Sequence, residues 1–276
     1  MHSSGELKRQ DQSLVFITKA NKIYVPVNQI NHLFIFSSID MNQNVIKLLN
    51  MYDVVVFYFT FNGQFIGKYM PYKRYIGTHL IAQVTFIQDM KKKQLLAKSM
   101  LLGAYGNMLF LMKYYLKNGR MIQNELNLIG DLIEKIDSTN SIGEILLTEA
   151  QIKKTYYHAF DKIIINSEFK FEERSTYPPL NEVNAMMSFG YALLYSRIEG
   201  SIIRSRLTIE LPFIHGYSKK DSGLHHDIAD IFKPILVDRL VFRLINKKIM
   251  NKSDFEKQKN GIYMTKYGMK KFILYF

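Results

Sequence analysis

The sequence predicts an α+β protein, with a small N-terminal β domain followed by a larger all-α domain. Two observations carry that class and a third narrows it. Over residues 13–71 apolar residues fall in short β-branched runs separated by turn residues, the signature of strands. From Leu80 onward they recur at three- and four-residue intervals, the signature of helices. Strands and helices are thus segregated, which argues against an alternating, doubly wound nucleotide-binding fold. The scattered glycines form no phosphate loop, and no GxxxxGK[ST] occurs.

Each element has its reason. "SLVFITKANKIYVPV" (13–27) reads as two strands around a polar "KAN" turn. "VVVFYFTFNGQFIGKYMP" (54–71) is the clearest element. Asn62-Gly63 between apolar runs predicts a hairpin with a type I′ turn, which needs positive φ at both central residues. The unbroken run Val54–Phe61 predicts a strand covered on both faces. "PYKRYIGTH" (71–79) connects the two parts, giving a β domain over 1–74 and an α-helical domain over 75–276. Helical periodicity then spans 80–115, with Leu95, Leu96, Met100 and Leu101 on its apolar side and Lys91, Lys92 and Lys93 on a charged face. It returns at 121–137, 144–165, 181–203 and 224–250. "TYPPL" (176–180) is a break that places proline at a helix entry. In the last helix Leu224, Ile228, Ile231, Ile235 and Leu236 form the expected apolar stripe.

A chain of 276 residues, 47% hydrophobic, can bury a substantial core. Its formal net charge of +13 favours a polyanionic partner, either nucleic acid or an acidic membrane surface. With no cysteine, disulfides, thiolate metal sites and cysteine nucleophiles are excluded, which fits a reducing cytoplasm. The polar start Met1–Arg9 does not read as a signal peptide. "SMLLGAYGNMLFLMKYY" (99–115) is short for a membrane span and is interrupted by Asn107 and Lys113, so a buried helix and no membrane partner are expected.

The chemistry concentrates in "LPFIHGYSKKDSGLHHDIADIFKP" (211–234). Asp227 and Asp230 are three apart, so both carboxylates leave one side of a helix. His215 lies upstream across the polar "GYSKKDSG", a loop able to fold it back onto the first turns of that helix. Two carboxylates and an imidazole suit a divalent cation of the Mn²⁺ or Mg²⁺ kind. With no thiolate to offer, the stretch does not suit a structural zinc site. The same residues also admit an ordinary reading, with the aspartates as helix-start partners and His215 packed beside Phe213 and Ile214. The pair His226-Asp227 admits an HD-type phosphohydrolase as well, with His158 and Asp238 as its further ligands. The residues alone leave these readings open.

Taken in order, "NEVNAMMSFGYALLYSRIEGSI" (181–202), "FIH" (213–215) and "HHDIADIFKP" (225–234) resemble the helical core of the CRISPR adaptation integrases, the Cas1 family of CRISPR-associated endonucleases. The matching residues are Asn184, Ala185, Ser188, Gly190 and Tyr191, then Phe213-Ile214-His215, then Asp227, Asp230 and Phe232-Lys233-Pro234. "LLTEAQIKKTYYHAF" (146–160) resembles the family's glutamate element, with Glu149 in the glutamate's place and Tyr156, Tyr157 and Phe160 following. "SSGELKRQDQSL", "NGQFIGKYMP" and "QDMKKKQLLAKSMLLGAYGNML" extend the likeness through the chain, and "DIADIFKPILVDRLVFRLINKK" is most similar to type I-B versions. "LTIELPFIH" departs from the pattern in lacking an early proline and carrying Pro212. His225 and His226 stand where apolar residues are usual, and both ends look short against the pattern.

The resemblance implies a metal, Mn²⁺ or Mg²⁺, held by Glu149, His215 and Asp230, with Asp227 supporting the site. It implies spacer insertion into a CRISPR array, in which a 3′-hydroxyl of a short DNA attacks a phosphodiester at the repeat boundary. It further implies double-stranded DNA as partner (spacer precursor and repeat), a homodimer joined through the β domain, the small adaptation protein Cas2, and the prokaryotic cytoplasm. On that reading Lys91–Lys93, Lys113, Lys117, Arg174 and Arg197 are candidate phosphate contacts, and binding should weaken steeply with salt. The departures leave a catalytically weakened DNA-binding scaffold of the same complex as the alternative.

Overall fold

Strands come first, as the sequence predicts. The computed structural model describes residues 1–72, 77–138, 141–215 and 223–276. β1 (Gly5–Gln10) and β2 (Ser13–Ile17) form an antiparallel hairpin, and β3 (Lys22–Pro26) pairs with β2. The "KAN" turn closes because the Thr18 hydroxyl accepts the Asn21 N–H at 2.9 Å. After β4 (His32–Ile35), β5 (Ile39–Met41) lies parallel on β1 and completes a sheet of order β3-β2-β1-β5.

The next element corrects the all-strand reading of 13–71. Gln43–Met51 is a helix, α1, entered at Asn42, whose side chain accepts the Asn44 and Val45 N–H groups. Val45, Leu48 and Leu49 are its buried stripe, a helical spacing hidden among β-rich neighbours. α1 is the crossover between β4 and β6 (Val55–Phe59), which run parallel, and β7 (Phe65–Tyr69) pairs antiparallel with β6.

β6 is covered on both faces, as expected. Val54 and Val56 join Leu7, Leu14, Leu33, Ile35 and the α1 side chains in one core. Val55, Phe57 and Phe59 face the opposite way, into the core of the helical half. The strand is shorter than predicted, since Phe61 is 71% exposed at the hairpin tip. The turn also differs from type I′. The Gly63 N–H donates to Thr60 O at 3.0 Å, the Thr60 N–H donates to Gln64 O at 2.7 Å, and Gly63 has φ +85° whereas Asn62 is not at positive φ. This is a three-residue loop closed by a glycine bulge. Glycine is needed there twice over, because a Cβ at Gly63 would sit 2.6 Å from the Phe189 ring.

The helical half begins with α2 (Gly77–Gln88) and α3 (Met90–Lys117). The single periodic stretch 80–115 is split at Asp89, whose carboxylate accepts the Lys92 N–H at 3.2 Å and starts α3. Length and composition would let α3 cross a membrane, yet it buries Ala97, Leu101, Ala104, Tyr105, Met108, Leu111, Met112 and Tyr115 in the core. α4 (Gln123–Ser138), α5 (Ile142–His158), the short α6 (Phe160–Ile163) and α7 (Glu182–Arg204) follow.

α8 (Leu224–Phe232) passes through a π-helical turn, Lys233–Asp238, into α9 (Arg239–Asn246). The Arg239 N–H reaches back five residues to Pro234 O. This widened turn rotates everything after it and breaks the predicted stripe there: Leu236 is exposed, while Pro234, Val237 and Asp238 are buried. Before the turn, α8 buries Leu224 as predicted, together with Asp227, Ala229 and Asp230. The C-terminal part is not all-α either, because a hairpin of β8 (Phe255–Gln258) and β9 (Gly261–Met264) precedes α10 (Lys266–Tyr275). The expected domain boundary at 74/75 falls outside the described residues.

Candidate functional site

Two helices supply the acids. Glu149 lies on α5 and Asp230 on α8, 4% and 5% exposed, deep enough that an unpaired carboxylate there would be costly. One amine answers both. Lys153, a single helical turn after Glu149, places its ammonium 2.7 Å from Glu149 Oε1 and 2.9 Å from Asp230 Oδ2. Lys233, at the start of the π-helical turn, takes the other Asp230 oxygen at 2.5 Å. Burial would raise the Asp230 carboxyl, but the ammonium groups of Lys233 and Lys153 outweigh it and hold the group well below the usual carboxylate range. Burial in turn pulls the Lys153 ammonium down, while Asp230 and Glu149 carry it above its ordinary value. Lys233 also lies 5.0 Å from the ring centres of Tyr191 and Tyr195.

Asp227 has a different task. It is 1% exposed and all its bonds reach back to the segment before α8. Its Oδ2 accepts the Phe213 and Ile214 N–H groups at 2.7 and 2.9 Å, and its Oδ1 meets His215 Nδ1 at 2.5 Å. The "GYSKKDSG" loop runs mainly through 216–222, outside the described residues, yet the two sides it joins are bound directly to each other. The bond to Asp227, ahead of the opposing effect of burial, lifts the His215 imidazole above its ordinary value. It also occupies Nδ1, so Nε2 is the nitrogen left to a ligand.

The structure therefore brings Glu149 and Asp230 to one cation and ties His215 to Asp227 beside them. The Glu149 and Asp230 charges both act on His215. Among the described residues, no three His, Asp or Glu side chains stand together as a ready ligand set. Amines occupy Glu149 Oε1 and both Asp230 oxygens. Tyr105 of α3 is fully buried, and burial, with the charges of Glu149 and Asp230, raises its hydroxyl well above the ordinary value. Chemically, the cluster can hold a cation between its acids and present amines to an anion.

The "NxxxSxGY" residues prove to be supports. Asn184, fully buried, accepts Arg174 Nη1 at 2.8 Å through Oδ1, and Ser188 Oγ accepts Nη2 at 3.1 Å. Tyr191 donates its hydroxyl to Asp238 Oδ1 at 2.6 Å, and Tyr156 donates to Oδ2 at 3.0 Å. The four residues of the HD-type reading have separate partners here. Asp238 is tied to two tyrosines, and His158 meets Glu125 at 2.9 Å. Asp227 is tied to His215, while His226 packs against Tyr195 and His225. Of the candidate phosphate contacts, Lys91, Lys92, Lys113, Lys117 and Arg197 are exposed, whereas Lys93 and Arg174 are half-buried.

Sequence reasoning missed Lys153 as part of the site. Its signal was present, since a lysine four residues after a buried glutamate lies on the same helix face. Lys233, within the matching Phe232-Lys233-Pro234, carries no mark of its role in the sequence alone.

By fold and site this is an α+β protein of strongly positive net charge whose helical half buries a cation-holding acidic pair. That class narrows to one family: the family model for CRISPR associated protein Cas1 matches residues 1–276, and the chain belongs to the Cas1 family. It is 31% identical over 267 residues to CRISPR-associated endonuclease Cas1 2 of Thermodesulfovibrio yellowstonii, covering 96% of this chain and 81% of that protein. It is 32% identical over 272 residues to CRISPR-associated endonuclease Cas1 2 of Moorella thermoacetica, covering 98% and 82%. Among solved structures, a Cas1 protein from Thermotoga maritima superposes with a TM-score of 0.89 at 24% identity, covering 100% of this chain and 86% of that one. A casposase bound to integration product gives 0.85 at 19% identity, covering 99% and 79%. A Cas6-RT-Cas1–Cas2 complex gives 0.81 at 16% identity, covering 98% and 30%. The N-terminal strands and helical C-terminal half are thus the Cas1 fold.

Proposed function

We propose that this protein is a divalent-metal-dependent DNA endonuclease and integrase that inserts new spacers into a CRISPR array by 3′-hydroxyl attack on a phosphodiester. The observation that carries the reading is the pair Glu149 and Asp230, buried on separate helices and already gathered on one cation. The donor set fits the implied Mn²⁺ or Mg²⁺, because two carboxylates and the imidazole Nε2 combine hard oxygen ligands with a single nitrogen. The Lys153 ammonium shows that a positive charge is accommodated between them. Glu149, Asp230 and His215 would hold the ion, and its chemistry there would be to polarise the scissile phosphate and lower the pKa of the attacking hydroxyl.

The chain's own groups do the rest. Asp227 fixes the His215 ring through Nδ1 and keeps Nε2 directed away from itself. Lys233, with its hold on Asp230 and its seat against Tyr191 and Tyr195, is a fixed positive charge for the phosphate. Arg174, clamped by Asn184 and Ser188, is a second. The net charge of +13 supports a duplex partner, and the named likenesses to a casposase bound to integration product and to a Cas1–Cas2 complex support integration with a Cas2 partner. A second copy of the chain and the prokaryotic cytoplasm complete the proposal.

The test is strand transfer of a short 3′-hydroxyl DNA into a supercoiled plasmid carrying the repeat. It is run with Mn²⁺ or Mg²⁺, with and without Cas2, for wild type and Glu149→Gln. Metal-dependent transfer in wild type, lowered by at least about a hundredfold in the variant, is expected. Metal-dependent activity that survives Glu149→Gln removes Glu149 from the site. Salt-sensitive DNA binding without transfer in wild type replaces the enzyme by a scaffold of the adaptation complex.

A further inference from the structure

Glu149, Asp230, Lys153 and Lys233 form a cluster of two acids and two amines, electrically balanced as it stands. A divalent ion added to that balance would leave an excess of two positive charges. If one lysine leaves, the excess falls to one, which a single phosphodiester neutralises. The two lysines are not equivalent candidates for departure. Lys233 touches only Asp230, is 17% exposed and is boxed in by the rings of Tyr191 and Tyr195. Lys153 touches both acids, is 29% exposed and opens onto a cavity of about 710 Å³. That cavity also exposes Lys154, Arg174 and Tyr157, with Glu172 and Glu173. A long, flexible lysine stem can swing there without moving α5.

We propose that Lys153 is an internal surrogate for the divalent ion, closing the Glu149–Asp230 pair in the ion-free chain and swinging into the adjoining cavity, beside Arg174 and Lys154, when the ion enters. It is a positioning residue: it keeps two buried carboxylates from repelling each other before the ion arrives, and sets how much free ion is needed to arm the site. The inference rests on the metal-site reading above, and adds that ion entry is an exchange of cations.

The test measures Mn²⁺ binding by calorimetry and thermal unfolding with and without Mn²⁺, in wild type, Lys153→Met and Glu149→Gln. With its competitor gone, Lys153→Met should bind Mn²⁺ about tenfold or more tightly than wild type. Its Tm should fall without the ion, because Glu149 loses its amine and Asp230 one of its two, and recover with it. An affinity unchanged or weaker in Lys153→Met, with Glu149→Gln abolishing binding, overturns the exchange while sparing the metal site. Binding absent from both wild type and Lys153→Met, or untouched by Glu149→Gln, overturns the metal-site reading and the exchange with it. A second measurement uses wild type alone, so it does not depend on how the variant folds. Acylation of Lys153, read by mass spectrometry, should rise several-fold on adding Mn²⁺, and an unchanged rate overturns the proposal.

Discussion

Asp238 lies inside the helical core with the Tyr156 and Tyr191 hydroxyls as its donors. Burial pushes its carboxyl up to about 6 from an ordinary 3.8, against the lowering effect of those two bonds. The folded chain therefore keeps a proton on Asp238 up to about pH 6, whereas the unfolded chain releases it near 3.8. Across that window the folded state binds more protons, so stability falls as pH rises, and the loss is complete above about 6. Asp238→Asn cannot ionise. Relative to it, wild type should lose about 2–3 kcal/mol between acid and neutral pH, measured by urea unfolding at both. An identical pH slope in the two proteins would show that Asp238 is not held protonated. Individual residues were unevenly legible. Glu149, His215, Asp227 and Asp230 could be named because carboxylates and imidazoles in a motif announce chemistry. Their different attachments could not: Asp227 holds the His215 segment and Asp230 holds Lys153 and Lys233, although the two sit three residues apart on one face, and only their partners across the fold distinguish them. Lys153 was passed over because a glutamate–lysine pair at that spacing normally reads as a surface pair.

At the scale of elements, helix positions were legible and helix phase was not. The periodicity places α3, α4, α5, α7 and α8 correctly, but a π-helical turn leaves no mark in an apolar pattern, and it decides which side of 233–246 is buried. α1 and the β8–β9 hairpin escaped because both are short insertions in segments dominated by the opposite periodicity. The π-helical turn is seated by Gly190 of α7. A Cβ there would stand 2.6 Å from Val237 Cγ1 and 3.0 Å from the Phe272 ring, so α7, the turn and α10 close onto one missing side chain. Gly190→Ala should destabilise the protein by about 1–3 kcal/mol through overpacking, despite alanine's better helix propensity. Adding Val237→Ala should return part of that loss, giving a favourable coupling in a double-mutant cycle of chemical unfolding. Strictly additive effects would mean that the turn does not rest on Gly190.

For the whole molecule, β6 is the hinge of the design. Its alternate side chains belong to two cores, Val56 and Tyr58 to the one shared with α1, and Val55, Phe57 and Phe59 to the one shared with the helices. Phe36 and Phe189 pack at 5.8 Å between ring centres across the same junction, and Gly63 of the β6–β7 loop abuts Phe189. The division into a β domain and an α domain is therefore one of secondary structure, while the core of the helical half is completed by the β half. Two consequences follow for unfolding. The chain has 18 tyrosines and no tryptophan, so tyrosine emission reports on both halves, whereas far-UV circular dichroism is dominated by the helices. The two signals should fall together in urea as one transition, with a common midpoint and slope. Phe57→Ala, which removes a fully buried ring from the junction, should lower that common midpoint by the equivalent of about 3–5 kcal/mol without splitting it. Two separated midpoints in wild type, or a Phe57→Ala loss confined to one signal, would mean that the β and α halves fold independently and that β6 only lies between them.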